Sequence, residues 1–265
     1  MVLAMSAHTR RVAILSRLNS GGEATIIELA EEFGLSEMTI RRDLEALEFE
    51  GHARRVRGGA IPSVSRSYEP PISTRSAIES EAKQRIGLAA ARLLGDGETA
   101  IIDVGTTTLE MARNIDPRIA ATLITSSLPI AIELSQKPQI RTIVTGGIVR
   151  RGEMSLIGAR SETSFADLNC DTVFLGVAGV TTTKGLTEYN LDDTRVKQEA
   201  IKAASRVVVL ADATKIGKIA FANVARIREV DVLITNASPN NKIIKQIKEE
   251  GVEVIHVEPF AKEGK

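Results

Sequence analysis

Ser36-Glu37-Met38-Thr39-Ile40-Arg41-Arg42-Asp43-Leu44 reads as an amphipathic helix opened by its own cap, Ser36. At about 100° per residue, Ile40, Leu44 and Leu47 fall in one narrow arc and face a core, while Met38, Arg41, Arg42 and Glu45 point the other way. Two arginines near a helix N-terminus, on its free face, suit insertion into a major groove, where a guanidinium bonds two acceptors of guanine or grips a phosphate. Thr39, on the flank, reaches a phosphate or a base edge. For this helix alone, a solvated face is the competing reading.

The neighbouring segments favour DNA. Upstream, a helix near 8–19 gathers Val12, Leu15 and Leu18 on one side with Ile14 beside them, and ends at Asn19-Ser20-Gly21-Gly22. Thr25-Ile26-Ile27-Glu28 is a capping box that opens a helix over 26–33, with Ile26, Leu29, Ala30 and Phe33 inward. Gly34-Leu35 makes a tight turn into the Ser36 helix. Downstream, His52-Ala53-Arg54-Arg55-Val56-Arg57-Gly58-Gly59 predicts a hairpin folded at Gly58-Gly59, with Val56 inward and Arg54, Arg55 and Arg57 projecting as a basic wing. Residues 52–67 carry four arginines, Arg66 included, and no acid. The candidate DNA contacts are Thr25, Ser36, Met38, Thr39, Arg41, Arg42, Arg54, Arg55, Arg57 and Gly58.

This residue pattern resembles the DeoR-type bacterial transcriptional regulators. Arg10, Ile14 and Leu18, followed by Ser36 to Leu44, look like the family signature, and the stretch from Leu47 to Ala60 looks like its wing. His52-Ala53 replaces two larger apolar residues of the family, and Arg57 stands where the family often has His.

Composition sets the outer limits. The chain has 265 residues, 34 basic and 34 acidic, with 43% hydrophobic and 26% charged residues. That balance is of an ordinary globular protein and excludes disordered, collagen-like and disulfide-stapled classes. One cysteine, Cys170, makes no internal disulfide. No apolar run approaches the roughly 18 residues of a membrane span, and Met1–Met5 is too short an apolar start for a secretory signal. A cytoplasmic protein with no membrane partner is expected. With no Trp and only eight Phe and Tyr, base-stacking platforms are poorly supplied.

The expected organisation is a winged helix-turn-helix over 6–61, a Pro- and Ser-rich linker over 62–76, and an α/β domain with a mostly parallel sheet over 77–258. Its strands are placed at 100–104, 121–125, 140–145, 171–177, 206–211, 231–235 and 252–257, and its helices at 79–94, 107–115, 128–136, 191–204 and 240–250.

In that domain Asp103-Val104-Gly105-Thr106-Thr107-Thr108 follows a strand and opens a helix. Unpaired amides, a positive dipole end and three hydroxyls there suit a phosphate monoester; a plain Thr-rich cap is the alternative. Asp103 can accept from sugar hydroxyls. Gly146, Gly147 and Gly179 also lie at strand ends, where ligands of open α/β sheets collect. Glu188, Lys197, Asp212 and Lys215 supply charges to the same crevice, and Lys83 and Arg75 are weaker candidates. These loops are similar to the DeoR-type effector domain, and the resemblance implies a fold like ribose-5-phosphate isomerase and a sugar phosphate as effector.

The expected function is a sequence-specific regulator, a repressor of carbohydrate catabolism genes, binding double-stranded operator DNA as a homodimer or homotetramer and answering to a phosphorylated sugar. No catalytic residue, metal or cofactor is expected. An isomerase-like enzyme using Glu188 and a lysine, with an appended DNA-binding unit, is the alternative, and a protein-docking adaptor is a third.

Overall fold

The computed structural model describes residues 6–49, 52–62 and 66–258. Met1–Met5, Gly51 and linker positions 63–65, on which expectations were placed, lie outside the described residues. The chain divides into two compact units, Met1–Tyr68 and Glu69–Lys265.

In the first unit the helices run Ala7–Gly21, Ile26–Phe33 and Glu37–Phe49. Ile14, Leu18, Leu29, Ile40, Leu44 and Leu47 are sealed from water and pack as one cluster. This is the arc that the helical period places inward. Thr25 opens the second helix with both halves of its capping box: the Glu28 amide donates to Thr25 Oγ1 at 3.1 Å and the Thr25 amide to Glu28 Oε2 at 2.8 Å. Ser36 Oγ accepts from the Thr39 amide at 3.3 Å. Arg10 on the first helix donates to Asp43 on the third at 2.5 Å, which fixes the two helices against each other.

Three antiparallel strands complete this unit. Gly59–Pro62 lies between Ala24–Thr25 and Ala53–Val56. Val56 pairs with Gly59, so the two-residue turn is Arg57-Gly58, with Gly58 at φ +87°, and not the expected Gly58-Gly59. Gly59 has a different task. A Cβ there would collide with the Ala24 carbonyl, so the residue's smallness lets the wing close on the start of the second helix.

The second unit is built on seven parallel strands in the order Glu253–His256, Val232–Thr235, Ala204–Leu210, Cys170–Gly176, Thr99–Ile102, Ala121–Thr125 and Ile140–Val144. Alternate residues of the central strand enter different cores: Val173 and Leu175 pack with Val196 and Ile244, whereas Phe174 packs with Ile86, Met111 and Ile130. Both faces are therefore covered, the former set by helices Leu191–Lys202 and Lys242–Glu249, the latter by Ser80–Ala91, Thr106–Asn114 and Leu128–Ser135. From Thr99–Ile102 the chain winds outward to one edge, then returns to Cys170–Gly176 and winds to the other. The order reverses between these two strands, and the crevice beyond their carboxyl ends is the switch point where such sheets bind ligands.

Several elements depart from expectation. A short antiparallel sheet joins Gly179–Thr181, Gly185–Glu188 and Ala222–Ala225, and Ile148–Arg150 pairs with Ser155–Ile157. The linker expected over 62–76 is corrected at its second half. Ile72–Ala77 is helical, and Glu69 and Arg75 are ion-paired within the second unit. No helix among the described residues is long and apolar enough to cross a membrane.

Candidate functional site

On the first unit, the third helix presents Met38, Arg41 and Arg42 to solvent, Met38 at 61% exposure. Arg41 leans back to Glu37 at 3.3 Å. Arg42 makes no ion pair among the described residues, nor do the exposed Arg54 and Arg57 of the wing. Arg55 differs. It donates to Glu48 at 2.7 Å and to Glu45 at 2.8 Å, and its amide donates to Glu48 at 3.0 Å. These bonds hold the Glu48 carboxyl below the usual carboxylate range. Arg55 therefore ties the wing to the third helix, a positioning task and not that of the expected projecting cation. Thr25 and Ser36 spend their hydroxyls on caps, and Ser36 also bonds Thr39 Oγ1 at 2.9 Å. Gly58 supplies the turn conformation.

On the second unit, a cleft of about 780 Å3, its open mouth included, lies at the switch point. Gly105, Thr106 and Thr107 form one wall and Gly176, Val177 and Ala178 another, as their strand ends dictate. Thr106 starts its helix with Gly105 as the cap residue, so the first amides have no partner within the helix. The hydroxyls of Thr106 and Thr107 make no hydrogen bond among the described residues. Thr108 is turned away: it is wholly buried and its hydroxyl donates to the Gly105 carbonyl at 3.0 Å, a bond that braces the turn.

Beneath the cleft, Lys197 is buried with its Nζ on Asp103, on the Gly176 carbonyl at 2.9 Å and 3.4 Å from Glu188. The Gly176 amide donates to Asp103 at 3.0 Å. Burial alone would discharge Lys197, but Asp103 and Glu188 outweigh it and hold the ammonium protonated. Burial pushes both carboxyls upward, with Lys197 opposing. This cluster locks the two switch-point strands together. Glu188 also lines the cleft, whereas Asp103 and Lys197, expected there as effector contacts, are buried behind its lining and spend their charges on each other.

Asp212 and Lys215 line the opposite side. Asp212 Oδ1 accepts from the Thr214 amide at 2.9 Å, while its buried Oδ2 has no partner. A carboxylate oxygen left open in a buried site asks for a donor. Lys83 is also in the lining and 3% exposed, donating to the Arg75 carbonyl and, at 2.5 Å, to Ile78. Burial pushes Lys83 down to about 8 against the pull of Asp212, with Lys215 and Arg75 adding to the push.

Three expected glycines do not reach the cleft. Gly147 presses on the Ile157 carbonyl and Ser161, and the Gly146 amide donates to Ser164 Oγ at 3.4 Å, so this loop packs on the hairpin and the helix Ala159–Thr163. Gly179 lies against the Lys218 backbone, where a side chain has no room. These glycines permit close backbone approach and are corrected to structural roles.

Of the next feature, sequence reasoning offers only Arg75, as a weaker candidate. Arg75 pairs with Glu153 and with Glu69 at 3.1 Å, while Arg150 pairs with Asp193 and with Glu69 at 2.5 Å, and all five side chains line the cleft. Ser155 Oγ donates to Asp193 at 2.9 Å. No local pattern announces this network, because its members lie on three separated segments; the pairing of Glu69 with Arg75 around Pro70-Pro71 is the one signal within reach.

Comparison with known proteins covers nearly the whole chain. Residues 78–237 match the DeoR C terminal sensor domain and residues 10–65 the DeoR-like helix-turn-helix domain. The chain is 33% identical over 255 residues to the HTH-type transcriptional repressor GlcR of Bacillus subtilis, spanning 96% of this chain and 98% of that protein. It is 29% identical over 251 residues to the glycerol-3-phosphate regulon repressor of Escherichia coli, spanning 94% and 99%. Among solved structures it is similar to ribose 5-phosphate isomerase A of Methanocaldococcus jannaschii, with 18% identity, a TM-score of 0.38, and coverage of 51% of this chain and 53% of that one. That score is too low to bear on function.

Proposed function

The chain belongs to the DeoR family of helix-turn-helix transcriptional regulators, and on that premise we propose that it represses carbohydrate catabolism genes and that a phosphorylated sugar in the cleft sets its hold on operator DNA. Residues 6–61 read the DNA; 77–258 sense the sugar, joined by 69–76, whose side chains enter the same cleft. Arg41 and Arg42 enter the major groove, and Arg54 and Arg57 lie on phosphates. Two copies read two half-sites, which gives affinity and register together.

The observation that carries the sensor reading is the turn at Gly105-Thr106-Thr107. Its open amides and hydroxyls face a cleft that also holds Lys215, which suits a phosphate, while the unpartnered Asp212 Oδ2 and Glu188 suit sugar hydroxyls. Regulation requires that the sugar bind one DNA-competence state more tightly, by about 1–3 kcal/mol. The isomerase reading is disfavoured because Glu188, the base it needs, accepts the Tyr189 amide at 2.8 Å and sits by Lys197.

A gel shift on DNA upstream of the gene, at low salt and with a panel of sugar phosphates, tests this. Retarded DNA released or tightened by one of them is the expected result. Failure to retard any such DNA, or indifference to the whole panel, overturns the corresponding half.

A further inference from the structure

We propose that Arg75 and Arg150 form a second anion subsite in the cleft, which Glu69 fills from within until a ligand anion displaces it, so that the cleft takes a metabolite bearing two anionic groups. The proposal rests on the reading of the cleft as the ligand site and deepens it.

Glu69 is the pivot. Its carboxylate is ion-paired with Arg75 at 3.1 Å through Oε1 and accepts from Arg150 at 2.5 Å through Oε2, so one carboxylate bridges two guanidinium groups. That is the geometry in which arginine pairs hold a carboxylate or a phosphate. Both arginines stay positioned without Glu69. Arg75 also holds Glu153 and donates to the Pro70 carbonyl at 3.0 Å, and Arg150 also holds Asp193, which Ser155 steadies in turn. All are more than four-fifths buried at the side chain.

Two arginines thus meet three carboxylates, one more acid than the cations balance. Glu69 is the one shared between them and the one carried on the chain that leads out of the first unit. Exchange of a tethered carboxylate for a ligand phosphate swaps one anion for another, and the tether sets the competition. The subsite is distinct from the threonine turn, because none of its partners lies on residues 103–108. A ligand held at both ends would untie Glu69, the first residue after Tyr68 and hence after the DNA-reading unit.

Equilibrium dialysis of the full chain against radiolabelled inorganic phosphate tests the subsite. Glu69→Gln keeps the side-chain shape and removes the competing charge. At equal free phosphate in the millimolar range, it is expected to bind about twice as much phosphate per chain as the unaltered protein. The gain should vanish in Glu69→Gln combined with Arg150→Ala, and persist in Glu69→Gln combined with Thr107→Ala. Asp116→Asn, which also deletes a carboxylate beside an arginine but on the surface, should bind as the unaltered protein does. Equal binding by Glu69→Gln and the unaltered chain overturns the proposal, as does a gain that survives Arg150→Ala. The threonine turn is judged separately, by whether Thr107→Ala alone lowers phosphate binding.

Discussion

Lys197 and Asp103, 94 residues apart in the chain, form an ion pair whose side chains are 1% and 4% exposed. The ammonium also reaches Glu188 and the Gly176 carbonyl, so removing it strands two buried carboxylates at the point where the sheet reverses. Lys197→Ala should cost about 3–5 kcal/mol of stability, read as a lower midpoint in urea. An unchanged midpoint would mean that Asp103 and Glu188 find other compensation and that the pair does not hold the strands.

Arg42 and Arg55 should separate on DNA. Arg42→Ala is expected to weaken operator binding by about 1–3 kcal/mol if its guanidinium reads a guanine. Arg54→Ala and Arg57→Ala should each lower the slope of log affinity against log salt by about 1, as loss of a phosphate contact does. Arg55→Ala should leave that slope unchanged, because its guanidinium faces Glu45 and Glu48. A slope change for Arg55→Ala equal to that of its neighbours would return it to the phosphate contacts.

Lys83 gives the molecule a signature in mild alkali. Its folded pKa of about 8 lies below the ordinary 10.5, so between these values the unfolded chain binds the proton and the native one releases it. Stability should therefore rise with pH in this window, by about 1.5 kcal/mol between pH 8 and 9.5 from this group. Well below pH 8 both states carry the proton and the slope disappears. Melting curves of the protein and of Lys83→Met across that range should diverge, and parallel curves would contradict the buried ammonium.

Gly59→Ala should damage one function alone. The added methyl meets the Ala24 carbonyl and Thr25 Cα, so the wing must move or the second helix must shift. A loss of about 1–3 kcal/mol in the first unit is expected, with weaker DNA binding and unchanged phosphate binding. Normal DNA binding in this variant would show that the wing need not close on Ala24.

The main sheet was legible because each of its seven strands is a β-branched run set between helical patterns, and their observed ends differ from the expected ones by only a residue or two. The small sheet escaped because Gly179–Thr181 and Gly185–Glu188 are three and four residues long and rich in Gly and Thr, which reads as turn. Helical period gave the outward set Met38, Arg41 and Arg42. It could not reveal that Arg55 is spoken for, since its partners lie on another element. Glycines at strand ends carry two meanings, ligand approach and backbone crowding, and only packing told Gly105 from Gly147 and Gly179. The Arg75, Arg150 and Glu69 network is non-local, and proline-rich composition hid half of it.

Among the described residues, the apolar side chains that shield one another between Ile14 and Ala60 include none from beyond Tyr68. The first unit therefore has a hydrophobic core of its own, as the second has in the two clusters that cover its sheet. A volume change inside one core must be absorbed by that core's own side chains, so each unit carries its own tolerance for substitution.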